Sequence, residues 1–143
     1  MFIKPTKRRS WAKECKNYLE YKIGKYYNGA LSILAFGEMA KAIASIEKET
    51  EWISMGTREK VFTDLILILK KKDMQFWSPQ FGCMKKALEI QQEFQFEPAD
   101  TLHLACASED RDCSMFVTIE EKFLNNPRLE KKLGIKVKHP SAL

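Results

Sequence analysis

The sequence predicts an α/β fold built on a central parallel sheet, and three observations lead there. Short apolar or β-branched runs recur at residues 30–34, 74–77, 114–119 and 135–138, each separated from the next by segments of helical period. Every gap holds the dozen or more residues that a parallel crossover needs. The 143 residues are 45% apolar and 30% charged, enough to build one covered core. A parallel sheet buried on both faces between layers of helices follows, as a single domain over 1–143. The same composition excludes a disordered tail, a collagen-like rod and a disulfide-stapled miniprotein. A membrane span needs about 18 or more apolar residues. The longest uninterrupted apolar block, 65–69, has five.

Each element has its own justification. Residues 4–23 carry Trp11, Cys15, Tyr18, Leu19 and Ile23 three or four apart, one apolar helical face, with Pro5 suited to its first turn. Gly24 and Asn28-Gly29 break that pattern. The run 30–34 reads as a buried strand. Residues 35–52 switch to helical period along Met39, Ile43 and Ile46, and Met55-Gly56 ends them. Thr57 is placed to cap a helix over 58–72, whose inward stripe is Val61, Leu65, Ile68 and Leu69, broadened by Phe62 and Ile66. Residues 74–77 form the next strand, closed by Ser78-Pro79. A helix over 81–94 turns Met84, Leu88 and Ile90 or Gln91 inward, and Pro98 opens another that runs to Glu109. The strand 114–119 leads into a charged helix over 120–133, interrupted at Asn126-Pro127. Gly134 caps it, and 135–138 is the last strand.

Charge is unevenly spread. The net charge is +5, yet residues 1–27 hold eight Lys or Arg against two Glu, so the remaining body is close to neutral. Such a segment is either a solvated helix face or a grip on a polyanion, with phosphate the anion it suits. The first residues lack the apolar core of a secretory signal, which predicts a cytoplasmic protein. Cys15, Cys83, Cys106 and Cys113 form no CxxC pair, and only His103 and His139 could join them. That spacing does not suit a zinc site and predicts buried, reduced thiols.

Open parallel sheets bind ligands beyond the carboxyl ends of their strands. Glu38 stands four residues after Leu34, in the expected first turn of its helix. Asp100 sits in the first turn of the helix opened by Pro98, and Glu120 and Glu121 follow the 114–119 strand directly. Acids in a first helical turn also serve the helix dipole, so no one of them signals a site alone. Together, such carboxylates are the hard oxygen donors that Mg²⁺ or Mn²⁺ prefers. Two such ions, about 3.5–4 Å apart, can activate a water and stabilise the leaving oxygen of a phosphodiester.

Three stretches now become specific: Pro98-Ala-Asp-Thr-Leu-His-Leu-Ala-Cys-Ala107, Met115-Phe-Val-Thr-Ile-Glu-Glu-Lys-Phe-Leu124 and Leu133-Gly-Ile-Lys-Val137. They resemble the C-terminal half of PIN-domain proteins, with that family's Asp-x-x-His-x-Ala helix, Val-Thr-x-Asp turn ending in Phe, and closing Leu-Gly-Ile-x-Val strand. Ser32-Ile-Leu-Ala-Phe-Gly-Glu38 is similar to the family's strand-then-Glu segment. The resemblance implies a PIN-like three-layer α/β/α fold and a metal-dependent ribonuclease. It implies Glu38, Asp100 and Glu120 as catalytic acids and ligands of Mg²⁺ or Mn²⁺, Glu121 as an auxiliary ligand, and Thr118 as the hydroxyl that orients the turn. Glu120 stands where the family more often has Asp. His103 matches the family's helix histidine, and a packed, hydrogen-bonded ring is the plainer reading of it.

PIN domains usually begin with a strand ending in Asp-Thr-Asn and an apolar triplet. Here Met1-Phe2-Ile3 is similar to that triplet, and no Asp precedes Asp64. The expectation is a first strand and first aspartate that are missing, either through a truncated start or through loss of the catalytic site. Three functions follow. One is a ribonuclease, with VapC-type toxins held by a small antitoxin as one such group, in which Lys7, Arg8 and Arg9 grip the RNA backbone. Another is an RNA-binding module without catalysis. The third is an interaction domain forming a homodimer, with Phe62, Ile66, Phe94 and Phe96 as its apolar surface.

Overall fold

The computed structural model describes residues 13–45 and 55–143, with only the backbone described at Met55. Lys7, Arg8, Arg9, Trp11, Ile46 and Trp52 lie outside these residues. The elements, in chain order, are a helical segment from residue 13 ending in a π-turn at Tyr18–Lys22, then β1 Ala30–Ser32, α1 Leu34–Ser45, α2 Met55–Lys71, β2 Gln75–Trp77, α3 Phe81–Phe94, α4 Pro98–Glu109, β3 Met115–Val117, α5 Pro127–Leu133, β4 Lys136–Lys138 and a 3₁₀ turn at Pro140–Ala142. The class is mixed α/β. The chain divides into two compact units, one of residues 28–78 and one of residues 79–143 with the N-terminal stretch to Tyr27.

In the 28–78 unit, β1 and β2 pair in parallel, with Ala30 opposite Gln75 and Ser32 opposite Trp77. Backbone bonds from Gln75 N to Gly29 O (2.9 Å) and from Ile33 N to Trp77 O (2.8 Å) extend the register at both ends. Phe36 of α1 and Phe76 of β2 bring their ring centroids to 4.9 Å. The strand stops at Ser32, whose hydroxyl accepts from Leu34 N (3.3 Å), so α1 begins at Leu34 rather than after it. Similarly, α2 starts at Met55. Met55, Gly56 and Thr57 are all helical, so Thr57 lies inside this helix rather than capping it, and the expected end of the preceding helix at residue 52 lies outside the described residues. Its inward stripe is also rotated. Phe62, Leu65, Ile66 and Leu69 turn inward at a spacing of three and four, whereas Val61 and Ile68 stay exposed.

The other unit pairs β3 and β4 in parallel, with Phe116 opposite Val137. Among the described residues the parallel pairing expected from the sequence is therefore present as two two-stranded sheets, not as one central sheet. Helices α3 and α4 form a hairpin. Gln95 turns the chain with a left-handed φ of 53°. Beside the turn, the buried Thr101 hydroxyl donates to Gln91 Oε1 (2.8 Å). At the open end, the Glu109 carboxylate lies against Gly82, 2.8 Å from where a Cβ would stand. Buried side chains here include Cys83, Ile90, Leu104, Phe123 and Leu129, joined by Leu133, Ile135 and Val137. The α3 boundaries match the sequence expectation, but its inward face runs through Cys83, Ala87 and Ile90, leaving Met84 and Leu88 exposed.

The expected helix over 120–133 is only half present. Residues 121–125 form turns, and α5 starts at Pro127, where the Asn126 side chain accepts from Leu129 N (3.1 Å). Gly134 ends the helix with φ +73°. Of the four free cysteines, Cys83 and Cys106 are buried, Cys113 is half-buried and Cys15 is exposed, which corrects the expectation of four buried thiols. Among the described residues, no helix is long and apolar enough to cross a membrane.

Candidate functional site

The carboxyl end of β3 is where the sequence places a site. Thr118 N donates to Lys138 O (2.9 Å), the last ladder bond of the sheet. The chain then leaves the sheet, and Glu120 N donates to Thr118 Oγ1 (3.0 Å). The hydroxyl thus fixes the turn that presents Glu120. Three residues on, Phe123 anchors the far side of the turn. It is 2% exposed, with its ring edge-on to Phe96 at 4.8 Å and to Phe116 at 6.4 Å. Between them, Glu120 and Glu121 are held out to solvent.

Asp100 comes from a different element. Pro98 at the start of α4 fits the open first turn, where an N–H would have no helical partner. Asp100 follows in that turn, near the positive end of the helix dipole. Lys122, in the turn after β3, reaches across and donates to Asp100 Oδ2 (2.5 Å). Its ammonium also lies 5.0 Å from the centroid of the Phe123 ring. The Lys122 pKa is raised, chiefly by the hydrogen bond to Asp100; burial opposes this, and the charges of Asp100, Glu120 and Glu97 add to it. Asp100 is thus the acid that Lys122 pairs with directly, while Glu120 and Glu97 act on it through their charge. Sequence reasoning missed Lys122 and Glu97. The only available signal was a lysine inside the acid-rich Glu-Glu-Lys turn, and its partner lies 22 residues away.

Glu38 belongs to the 28–78 unit. Because α1 starts at Leu34, Glu38 occupies the fifth helical position and lies beyond the first turn, so the dipole argument made for it does not apply. Its side chain is exposed. His103 is half-buried on α4. Phe62 and Ile66 are half-buried, and Phe94 and Phe96 stack on one another at 5.4 Å.

The donor chemistry around Lys122 is carboxylate oxygen, the type a hard divalent cation takes. Among the described residues, no group of three His, Cys, Asp or Glu side chains is gathered to hold a metal ion. No protein-family model, curated protein or solved structure matches this chain.

Proposed function

We propose that this chain is a PIN-type, metal-dependent ribonuclease with the family's three-layer fold, in which Asp100 and Glu120, with Glu38 as the third donor and Glu121 as an auxiliary one, hold Mg²⁺ or Mn²⁺. The observation that carries this reading is the Lys122–Asp100 ion pair, which ties the first turn of α4 to the turn that presents Glu120 after β3. It lies at the end of a parallel strand, where α/β proteins bind ligands. A bound divalent ion supplies Lewis acidity and a more acidic water. The chain's own contribution is positioning: the Thr118 hydroxyl sets the Glu120 backbone, and Phe123 pins the turn. The basic N-terminal residues, Lys7, Arg8 and Arg9 among them, hold the RNA backbone by charge. An antitoxin partner and a homodimer belong to the same reading, as does a cytoplasmic location.

A second reading is favoured by the same contact. With Lys122 already seated on it, Asp100 is neutralised without a metal, as in a PIN-like RNA-binding or protein-interaction domain without catalysis. Incubating the purified chain with a labelled RNA in Mn²⁺ and in EDTA separates the two. Cleavage that needs Mn²⁺ and is lost in Asp100→Asn supports the nuclease. Binding without cleavage, unchanged by EDTA and by Glu38→Gln, supports the second reading.

A further inference from the structure

Immediately after the π-turn, the chain makes a compact turn that no argument about the acids involves. Lys25 N, Tyr26 N and Tyr27 N all point to Lys22 O, at 3.3, 2.9 and 3.2 Å, and Gly24 N donates to Tyr27 O (2.8 Å). Gly24 takes φ +78°, a left-handed backbone that favours glycine. Ile23, 4% exposed, roots the turn in the core. On its outside stands Tyr26, 61% exposed. The Lys25 and Lys22 ammonium groups lie 4.9 and 5.3 Å from the centroid of that ring. A rigid turn therefore displays two ammonium groups gathered on one exposed aromatic side chain, with Tyr21 also exposed at 64% on the preceding π-turn.

This combination matches a single-stranded nucleic acid. Phosphates pair with ammonium groups whatever the sequence, and unpaired bases stack on exposed rings. An exposed cation–π contact is weaker than base–aromatic stacking, so an incoming base can take the ring face while the ammonium moves to the neighbouring phosphate. A lipid surface fits less well, because the larger apolar side chains of this segment, Ile23 and Leu19, are buried or half-buried and leave little apolar surface to insert.

We propose that the turn at residues 22–27 is a contact site for single-stranded RNA, with Tyr26 stacking on a base and Lys22 and Lys25 pairing with the flanking phosphates. The inference rests on the reading that the chain acts on or binds RNA, and it locates a contact separate from the acidic residues. The test is fluorescence anisotropy of the full chain with a labelled single-stranded oligouridine, in EDTA so that metal chemistry plays no part.

Tyr26→Ala weakens binding about tenfold, and Tyr26→Phe retains it. Lys22→Gln/Lys25→Gln lowers the slope of log affinity against log salt by about 1.4, two phosphate contacts at about 0.7 each. The charge-matched control Lys131→Gln/Lys138→Gln, at exposed positions on α5 and β4, lowers it by less. Unchanged melting curves show that the substitutions leave the fold intact. RNA binding that is indifferent to Tyr26, or equal losses in the control, overturns the site while leaving the RNA reading standing. No RNA binding at all overturns both. Tyr26-dependent binding to phosphatidylserine vesicles in place of RNA reassigns the turn to a membrane and also overturns the site.

Discussion

Lys122 is the residue on which the chemistry turns. Its ammonium pairs with Asp100, so on the proposed reading any metal that Asp100 binds must compete with it. An exposed ion pair is worth about 0.2–1 kcal/mol, and removing the charge without shortening the side chain should raise Mn²⁺ affinity by up to about fivefold. Calorimetric titration of Lys122→Met measures this. A weaker or unchanged affinity would mean that Lys122 is not a competitor. Glu130 makes a second residue-scale prediction. Its carboxylate accepts from Val137 N (2.9 Å) and pairs with Lys136 (3.3 Å), which hold its pKa below the usual range. A lowered carboxylate pKa stabilises the fold above the group's ordinary range, and that contribution disappears as pH falls through the folded value. The melting-temperature gap between the protein and Glu130→Gln should therefore narrow on acidification. A constant gap would show that the carboxylate charge is not involved.

At the scale of elements, α5 shows what local signals can carry. In the sequence Gly134 marked its end and Asn126-Pro127 only an interruption of a longer helix; the structure makes that interruption its start, with a side-chain cap and a first-position proline, and places a left-handed glycine at its end. Asn126→Ala should cost about 1 kcal/mol in chemical denaturation. Gly134→Ala should cost about 1–2 kcal/mol, because a Cβ opposes its φ of +73°. Changes near zero for both would detach the stability of α5 from its caps. The facing of helices was less legible. Hydropathy favoured Met84 and Leu88 on α3, yet the chain buries the smaller Cys83 and half-buries Ala87, small side chains that admit close approach of a neighbouring helix. On α2 the helical period was visible, but its phase was not, since apolar residues at 61, 62, 65, 66, 68 and 69 span more than one face. The residues after Glu120 look helical from their charge pattern, whereas Phe123 is drawn into the aromatic cluster and the chain turns around it. Packing between distant residues made that choice, and no local pattern encodes it.

Over the whole molecule, the candidate acids are divided between two compact units, Glu38 in one and Asp100 and Glu120 in the other. Their types and their positions after strands were readable from the sequence. The Lys122 contact was not, because it joins residues 22 apart that only folding brings together. On the proposed reading Glu38 and Asp100 hold the same ion, so the Mn²⁺ affinity losses of Glu38→Gln and Asp100→Asn should not add in the double variant. Additive losses would place the two acids at separate sites.

The most direct test is Mn²⁺ titration, followed by electron paramagnetic resonance, of the unaltered chain and of Glu38→Gln, Asp100→Asn and Glu120→Gln. Each substitution should lower Mn²⁺ affinity by about tenfold or more, the effect of deleting one charged ligand worth at least about 1.4 kcal/mol. Retention of full affinity by Glu38→Gln, or by all three, would contradict the account.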